Sequence, residues 1–202
     1  TLVTPYSSKT EITEAQKLAK EMGVQHRLIE IPIPDSIRNN PPERCYLCKK
    51  RLFSELVNIA EQKGILHIID GSNVDDLDDY RPGFKAIIEL GVKSPLLDAG
   101  LTKQDIRDLS QEFKLVTWDK PSNPCLLTRI PHGTLIEEQE LERIDKGENF
   151  LKSLGMKAVR LRSHDNLARI ELPENNIAEL LNPELRASIK RQLKKLGYRY
   201  IT

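Results

Sequence analysis

The 202-residue sequence lacks a long apolar run and has almost no net charge. No stretch approaches the roughly 20 apolar residues that cross a bilayer, and no signal-peptide pattern opens the chain. The 31 basic and 30 acidic residues give a formal charge of +1, so no large field of one sign attracts nucleic acid or an anionic membrane. The composition therefore predicts a soluble globular protein with neither partner.

Cysteine is also scarce, because only three occur and each lies in a motif-like setting. Cys45 and Cys48 form a C-x-x-C, and Cys125 opens the string C-L-L-T-R-I-P-H-G. An odd number of cysteines cannot all pair within one chain, and unpaired thiols favour a reducing cytoplasm. Two close ligands and one remote ligand are a common way to build a metal or iron–sulfur site. From the residues alone, structural zinc with His132 or His26 as fourth ligand fits as well as an iron–sulfur cluster.

Alternating helix and strand patterns in the first part of the chain predict a parallel, doubly wound α/β sheet. Apolar residues recur at helical spacing over 11–22 and 49–62, and strands are expected at 27–31 and 65–69. The loop 32–42 contains four prolines and delivers the chain to the C-x-x-C. Ligands of such sheets gather at the carboxyl ends of the strands, here directly after residue 69.

Acidic and amide side chains fill the segment at that strand end, beginning with Asp70 and Asn73 and continuing with Asp75 and Asp76. The aspartate-rich stretch of Asp75, Asp76, Asp78 and Asp79 is equally compatible with a solvated turn and with binding of a nucleotide and its magnesium ion. The chain is expected to divide into domains at 1–126 and 127–202. The second is predicted to be a small α+β domain, with a helix at 134–154, strands at 158–162, 167–171 and 198–201, and helices around 177–181 and 183–196.

Three arginines are candidate anion ligands. Arg129 lies four residues after Cys125, where its guanidinium could grip a phosphate through two hydrogen bonds, with a surface salt bridge as the alternative. Arg160 and Arg162 share one face of a predicted strand because side chains alternate. Two like charges side by side are unfavourable unless an anion neutralises them, so a substrate phosphate is the expected partner.

Five strings of the sequence resemble the LarE family of ATP-dependent sulfur transferases, in one order across nearly the whole chain. They are R-C-Y-x-C-K at 44–49, D-G-S-N-x-D-D-x-x-D-Y-R-P-G at 70–83, L-G-V-K-S-P-L at 90–96, W-D-K-P at 118–121 and C-L-x-x-R-I-P-x-G at 125–133. The resemblance implies a PP-loop/Rossmann-like sheet, here incomplete at its N-terminus, followed by a small α+β domain. The family's PP-loop string, S-G-G-x-D-S, is not among these residues. Its expected place is before Thr1, and a molecule truly ending there is expected to lack ATP chemistry.

The resemblance implies an enzyme that adenylylates a carboxylate of pyridinium-3,5-biscarboxylate mononucleotide and converts it to a thiocarboxylate. The product serves biosynthesis of the nickel-pincer nucleotide cofactor of lactate racemase. Having all three cysteines is similar to family members that hold a 4Fe-4S cluster and use its sulfide. Other members keep only the cysteine matching Cys125 and sacrifice its sulfur.

The resemblance also assigns roles to the remaining residues and partners. ATP and Mg²⁺ are expected near Asp70, Asn73, Asp75, Asp76 and Arg81. The phosphate of the substrate or of AMP is expected at Arg160 and Arg162. Glu148 and Glu171 are expected around a metal in the same pocket, with exposed helix and strand positions as the equal alternative. A sulfide donor and a homo-oligomer, a trimer or hexamer, are the expected partners. Two alternatives are a tRNA-thiolating ATPase of the same wider group, disfavoured by the near-neutral charge, and a non-catalytic zinc-binding fragment.

Overall fold

The computed structural model describes residues 1–156 and 158–202, without the side chains of 175 and 179. It confirms a mixed α/β protein. The helices and strands are β1 (Leu2–Val3), α1 (Lys9–Glu21), β2 (Ile29–Glu30), α2 (Arg44–Gln62), α3 (Phe84–Glu89), α4 (Pro95–Asp98), α5 (Lys103–Glu112), α6 (Glu138–Ser153), β3 (Arg160–His164), β4 (Leu167–Glu171), α7 (Glu174–Ile177), α8 (Pro183–Lys195) and β5 (Tyr200–Ile201). Short 3-10 turns occur at Asp35–Ile37, Val74–Leu77, Leu126–Arg129 and Ala178–Leu181. No helix within the described residues has the length and apolar character to cross a membrane.

The chain forms two compact units, which do not coincide with the predicted division at residue 126. The β unit comprises residues 1–33, 38–40 and 121–202, and the helical unit comprises 34–37 and 41–120. The N-terminal segment groups with the C-terminal half through specific contacts. The Leu126 amide donates to the Tyr6 carbonyl at 3.1 Å, and the Thr10 hydroxyl donates to Asn149 Oδ1 at 3.0 Å. Residues distant in sequence therefore build one core.

Two small sheets lie in the β unit. β1 and β2 pair in parallel, with Leu2 opposite Ile29. β3 pairs antiparallel with β4, and β4 pairs in parallel with β5. Helices α6 and α8 pack against the second sheet. The buried members of the core that they share with it are Leu151, Met156, Val159, Leu161, Ala168, Ile189, Leu193 and Tyr198. A doubly wound sheet is not formed by the described residues, so the PP-loop/Rossmann-like arrangement stays a prediction.

Helix α6 approaches β3 closely because Gly147 has no side chain. A Cβ at this position would lie 2.3 Å from Leu161 Cδ2 and 3.4 Å from Leu193 Cδ2. That approach brings the carboxylate of the next residue, Glu148, to the start of β3. The close packing therefore places the Glu148 carboxylate next to β3, a position that the apolar periodicity of α6 does not indicate.

The helical unit departs from the sequence prediction in two places. The strand expected at 65–69 is wrong, because only Ile69 forms a bridge, to Lys93, and Leu66 is 87% exposed. A strand that is apolar on both faces needs a covering layer on each side, and this segment has none among the described residues of its unit. The helices α3, α4 and α5 were not predicted. Among these, α5 is capped by the preceding residue, Thr102, which exchanges capping hydrogen bonds with Asp105.

Candidate functional site

Cys125 stands exposed at the head of the 3-10 turn Leu126–Arg129 in the β unit. We call residues 123–129 the Cys125 turn. Leu126 and Leu127 anchor it, since their side chains are 3% and 1% exposed. The Thr128 amide donates to the Cys125 carbonyl at 3.1 Å and closes the turn. An exposed sulfur is thus carried on a backbone whose neighbouring side chains are buried.

Arg129, in contrast to Cys125, is almost fully buried at 1% exposure. Its Nε and Nη2 donate to the two carboxylate oxygens of Glu148 at 2.7 and 3.2 Å. Its remaining hydrogens are donated to Asn123 Oδ1, the Pro124 carbonyl and Thr128 Oγ1 at 3.3, 3.2 and 2.7 Å. A guanidinium has five N–H donors, and here five bonds to protein acceptors account for them. The surface salt bridge weighed from the sequence is a buried ion pair.

Glu148 lies on α6 and is itself fully engaged. Its Oε1 also accepts the Leu161 amide of β3 at 2.9 Å, and Lys152 Nζ lies 3.9 Å from its Oε2. The metal contact expected for Glu148 would have to share these oxygens, both of which face the guanidinium of Arg129.

Arg162 of β3 reaches the same turn from the other side. Its Nη1 donates to the Thr128 carbonyl at 2.6 Å, and its Nε pairs with Glu171 at 2.6 Å. Arg169 also donates to Glu171, at 2.9 Å. Burial raises the pKa of Glu171, but the bonds and charges of the two arginines outweigh it and lower the pKa below its ordinary value. Glu171 therefore has two guanidinium partners, and the metal contact expected of it stays a prediction.

Arg160 differs from Arg162 although the alternation of β3 puts both on one face. It is half-buried, and no described residue forms an ion pair with it. The two arginines predicted to share one anion therefore have unlike surroundings. Arg162 is bonded to the Cys125 turn and to Glu171, whereas Arg160 lies opposite Glu171 in the register of β3 and β4.

The C-x-x-C occupies the first turns of α2 rather than the preceding loop, because α2 begins at Arg44. The expected helix start at residue 49 is corrected accordingly. Cys45 and Cys48 are three residues apart in a helix, so their side chains lie on one face. Both are half-buried, and neither they nor Cys125 form a disulfide. Two thiols on one helical face are a suitable pair of ligands for zinc or for an iron–sulfur cluster.

Lys49 follows the C-x-x-C directly and was not singled out from the sequence. Burial lowers its pKa, against the opposing attraction of Asp70, while Arg81 lowers it further. The Cβ of a larger residue at Gly83 would lie 2.8 Å from Lys49 Cδ and 3.2 Å from the Cys45 carbonyl. Gly83 thereby allows close packing against the C-x-x-C turn. Lys49 ends the string R-C-Y-x-C-K, and Gly83 ends the string at 70–83. The family resemblance was therefore the one sequence signal that pointed to these two residues.

Asp70 forms a polar cluster at the end of the segment 65–69. Its carboxylate accepts the Ser72 hydroxyl at 2.6 Å, the Ser72 amide at 3.2 Å and the Ser94 hydroxyl at 2.7 Å. Burial raises the pKa of Asp70, but these hydrogen bonds and the charge of Lys49 hold it below the ordinary value. Ser72 and Ser94 were missed as side chains, although both lie inside strings of the family resemblance.

The other predicted nucleotide-binding residues stabilise local structure. Asp76 accepts the Asn73 amide at 3.1 Å and pairs with Arg81 at 2.7 Å. Asp75 accepts the Lys103 amide at 2.9 Å, at the first residue of α5. A carboxylate there suits the positive end of the helix dipole. The structure thus collects the predicted residues in one loop region, where several already have partners.

No group of three or more His, Cys, Asp or Glu side chains able to hold a metal ion is found in the described part of the chain. The acidic loop alone is therefore not a closed metal site. Magnesium usually takes only one or two protein carboxylates together with substrate phosphates. The deprotonated Asp70 fits that requirement as a single oxygen ligand.

No protein-family model matches the chain. A relative in Lactiplantibacillus plantarum, a pyridinium-3,5-bisthiocarboxylic acid mononucleotide synthase, is 39% identical over 95% of this chain and 70% of its own length. That product is the one made by the LarE family. The chain belongs to the LarE family. Two further relatives of this LarE chain are uncharacterized proteins of Synechocystis and Methanocaldococcus jannaschii. They are 38% and 34% identical, over 100% and 98% of the chain and 76% and 75% of their own lengths.

Proposed function

We propose that this chain is an ATP-dependent sulfur transferase that converts a carboxylate of pyridinium-3,5-biscarboxylate mononucleotide to a thiocarboxylate. The observation that carries the proposal is the exposed Cys125 on a turn bound by Arg162, with Arg160 on the same strand. An exposed sulfur on a turn that one arginine binds, with a second arginine on the same strand, suits a substrate that carries a phosphate. The name of the Lactiplantibacillus relative supports the same product class.

The proposed reaction begins with adenylylation of the substrate carboxylate by ATP and release of pyrophosphate. Activation is needed because a carboxylate oxygen is a poor leaving group, whereas AMP is a good one. A sulfur nucleophile then forms a bond to the acyl carbon, and the bond from that carbon to the AMP oxygen breaks. In this scheme Arg160 binds the substrate phosphate. The loop containing Asp70, Asn73, Asp75, Asp76 and Arg81 positions ATP and Mg²⁺.

We propose that Cys45, Cys48 and Cys125 provide the thiolates for a 4Fe-4S cluster. Two observations support this proposal: none of the three thiols is in a disulfide, and the first two share one face of α2. Such a cluster would supply a replaceable sulfide. Without it, Cys125 would give up its own sulfur, its Cβ–S bond would break, and dehydroalanine would remain after one turnover.

Metal analysis of the full-length protein tests the cluster. After anaerobic reconstitution with iron and sulfide, we expect about four irons per protein and visible charge-transfer absorption. A Cys45→Ser variant should lose both, whereas a Ser54→Ala variant, at a half-buried position further along the same helix, should keep them. Zinc near one per protein, without iron or visible absorption, would contradict the cluster and favour the zinc-binding alternative.

The mass of Cys125 after one turnover separates the two sulfur sources. The cluster proposal expects an unmodified cysteine and product in excess over protein when sulfide is supplied. Loss of the elements of hydrogen sulfide from the peptide containing Cys125 would instead identify sacrificial sulfur transfer. Replacement of ATP by a non-cleavable analogue should abolish product in either case. Sedimentation analysis tests the proposed trimer or hexamer.

A second candidate, thiolation of tRNA, has one observation in its favour. Arg186, Lys190 and Lys194 recur every four residues on α8 and, with Arg199, line a groove of about 780 Å³. A basic groove attracts a phosphate backbone, and binding would weaken steeply with salt. We expect no salt-dependent tRNA complex. Detection of one that Lys190→Glu abolishes would favour the tRNA enzyme.

A further inference from the structure

We infer that Arg129 and Glu148 are positioning residues that fix the backbone of the Cys125 turn, and that neither binds the substrate phosphate or a metal. The catalytic consequence of this inference rests on the proposed sulfur transfer at Cys125. The structural part, a turn held by one buried ion pair, does not. The two parts can therefore be measured separately.

The acceptors of Arg129 lie on both sides of Cys125 in the sequence. Asn123 and Pro124 precede the cysteine and Thr128 follows it, and all three accept hydrogens from the same guanidinium. A planar guanidinium fixes the directions of its five donors. The chain on both sides of Cys125 is consequently held in one geometry.

Glu148 connects that guanidinium to regular secondary structure. It belongs to α6, and its Oε1 also accepts the Leu161 amide of β3. The side chains of Arg129 and Glu148 are only 1% and 2% exposed. Charge-assisted bonds shielded from water are the stronger kind. The Cys125 turn is therefore attached to a helix and a strand through one carboxylate.

A phosphate role for Arg129 conflicts with this arrangement. Every N–H of its guanidinium already has a protein acceptor, and its charge is neutralised by Glu148. A phosphate could bind only after displacing buried partners and leaving a carboxylate without its cation, which is unfavourable. Arg160 has neither obstacle, because no described residue forms an ion pair with it. The structure thus divides the arginines between positioning and anion binding.

Arg162 provides a weaker second attachment. It donates to the Thr128 carbonyl, but its side chain is 29% exposed and its partner Glu171 is shared with Arg169. We therefore expect loss of the Arg129–Glu148 pair to release the turn even when Arg162 is intact.

The test compares Arg129→Lys and Glu148→Gln with Arg143→Lys in the full-length protein. Arg143 is a matched control in the β unit, because it pairs with Glu140 and donates to the Asp165 carbonyl without contacting the Cys125 turn. Backbone amide exchange is followed over 123–130, where the Leu126 and Thr128 amides are hydrogen-bonded. We expect exchange there to accelerate about tenfold or more in the first two variants only. Exchange over α8 should not change.

Kinetics of thiocarboxylate formation provide the second readout. Mispositioning of the reacting sulfur should lower kcat about tenfold or more while KM for the mononucleotide changes by less than about threefold. Arg160→Lys should do the reverse and raise KM. A raised KM with unchanged kcat in Arg129→Lys would show that this arginine binds the phosphate and would overturn the inference.

Two further outcomes keep the test decisive. If Arg129→Lys does not fold, Asn123→Ala removes one acceptor and leaves the ion pair intact, and it should still accelerate exchange over 123–130. Unchanged exchange there, or equal acceleration throughout the β unit, would overturn positioning in favour of no role or a general structural one. If the wild-type protein forms no thiocarboxylate, the proposed function fails, while the exchange pattern still decides the inference.

Discussion

The two cysteine sites are held by different physical means. In the β unit, Cys125 lies on a short turn whose geometry depends on the buried pair of Arg129 and Glu148. In the helical unit, Cys45 and Cys48 lie in the first turns of the 19-residue helix α2, where the helix itself sets their spacing. A turn needs external partners to keep its shape, whereas a long helix provides its own backbone hydrogen bonds.

The two sites should therefore differ in their sensitivity to side-chain substitutions. Single side-chain changes around Cys125 should alter the site strongly, because few groups determine it and they are shielded from water. Changes around the C-x-x-C should act weakly unless they alter the packing of α2. Exposed pairs such as Lys50 and Glu89, 3.0 Å apart, surround that helix. Exposed pairs contribute little to stability.

The largest effect is expected from Glu148→Ala. Removal of the carboxylate leaves the Arg129 charge buried without a partner, and breaking such a pair costs about 3–5 kcal/mol. Chemical denaturation should show that loss in the free energy of unfolding. Glu142→Ala on the exposed face of the same helix should leave the unfolding midpoint nearly unchanged. Equal midpoints for the two variants would contradict a special role for the buried pair.

A smaller loss is expected from Gly147→Ala. In an exposed helix this change normally stabilises, but here the new methyl group would lie 2.3 Å from Leu161 Cδ2. Overpacking of this kind costs about 1–3 kcal/mol. Gly83→Ala in the helical unit should cost less, because Lys49 Cδ belongs to a flexible side chain that can move. Thermal unfolding of both variants checks the order, and a stabilised Gly147→Ala protein would show that α6 is not closely packed on β3.

Acidification should remove the contribution of Glu171 to stability. The pKa of Glu171 is lowered in the folded protein, so its contribution to stability is complete above the ordinary carboxyl pKa of 4.5. That contribution is lost as pH falls through the lowered pKa. The difference in unfolding free energy between the wild type and Glu171→Gln should therefore shrink as pH falls below about 4.5. A difference that grows on acidification would reverse the assigned sign.

The smallest effect is expected from Glu89→Gln in the helical unit. The Lys50 ammonium donates hydrogen bonds to the Tyr46 hydroxyl and the Glu89 carboxylate, which raise the pKa of Lys50 to about 12, but these groups are exposed to solvent. Water and salt screen such pairs, so the unfolding midpoint should move little and the shift should vanish at high salt. A large shift that persists at high salt would place this pair on the same footing as Arg129 and Glu148.

Sequence patterns predicted the strongly periodic elements well. Apolar spacing located α1 and α8 to within a few residues and β4 at its observed bounds. The expected helix at 134–154 was found as Glu138–Ser153. The strand at 65–69 failed because a short apolar run carries no information about whether anything covers it. Ile65 and Leu66 are in fact exposed.

The candidate site was only partly predictable. Cys125, Arg129 and Glu148 were all chosen, but the pairing of Arg129 with Glu148 joins residues 19 positions apart on different elements. Asn123 and Thr128 were missed because their contribution is to accept hydrogens from Arg129. Lys49 was overlooked because its lowered pKa comes from burial. No pattern in the neighbouring residues indicates that burial.

The sequence by itself determined the family, the identity of the sulfur-bearing residues and the helices whose apolar faces repeat every three to four positions. These properties depend on residue type and local spacing. The pairing of the Arg129 guanidinium with Glu148 is visible only in the tertiary structure. The reason is physical: a guanidinium binds whichever acceptors the packed chain brings within about 3 Å. For Arg129 the main acceptor is Glu148, which the close approach of α6 to β3 at Gly147 brings to the Cys125 turn.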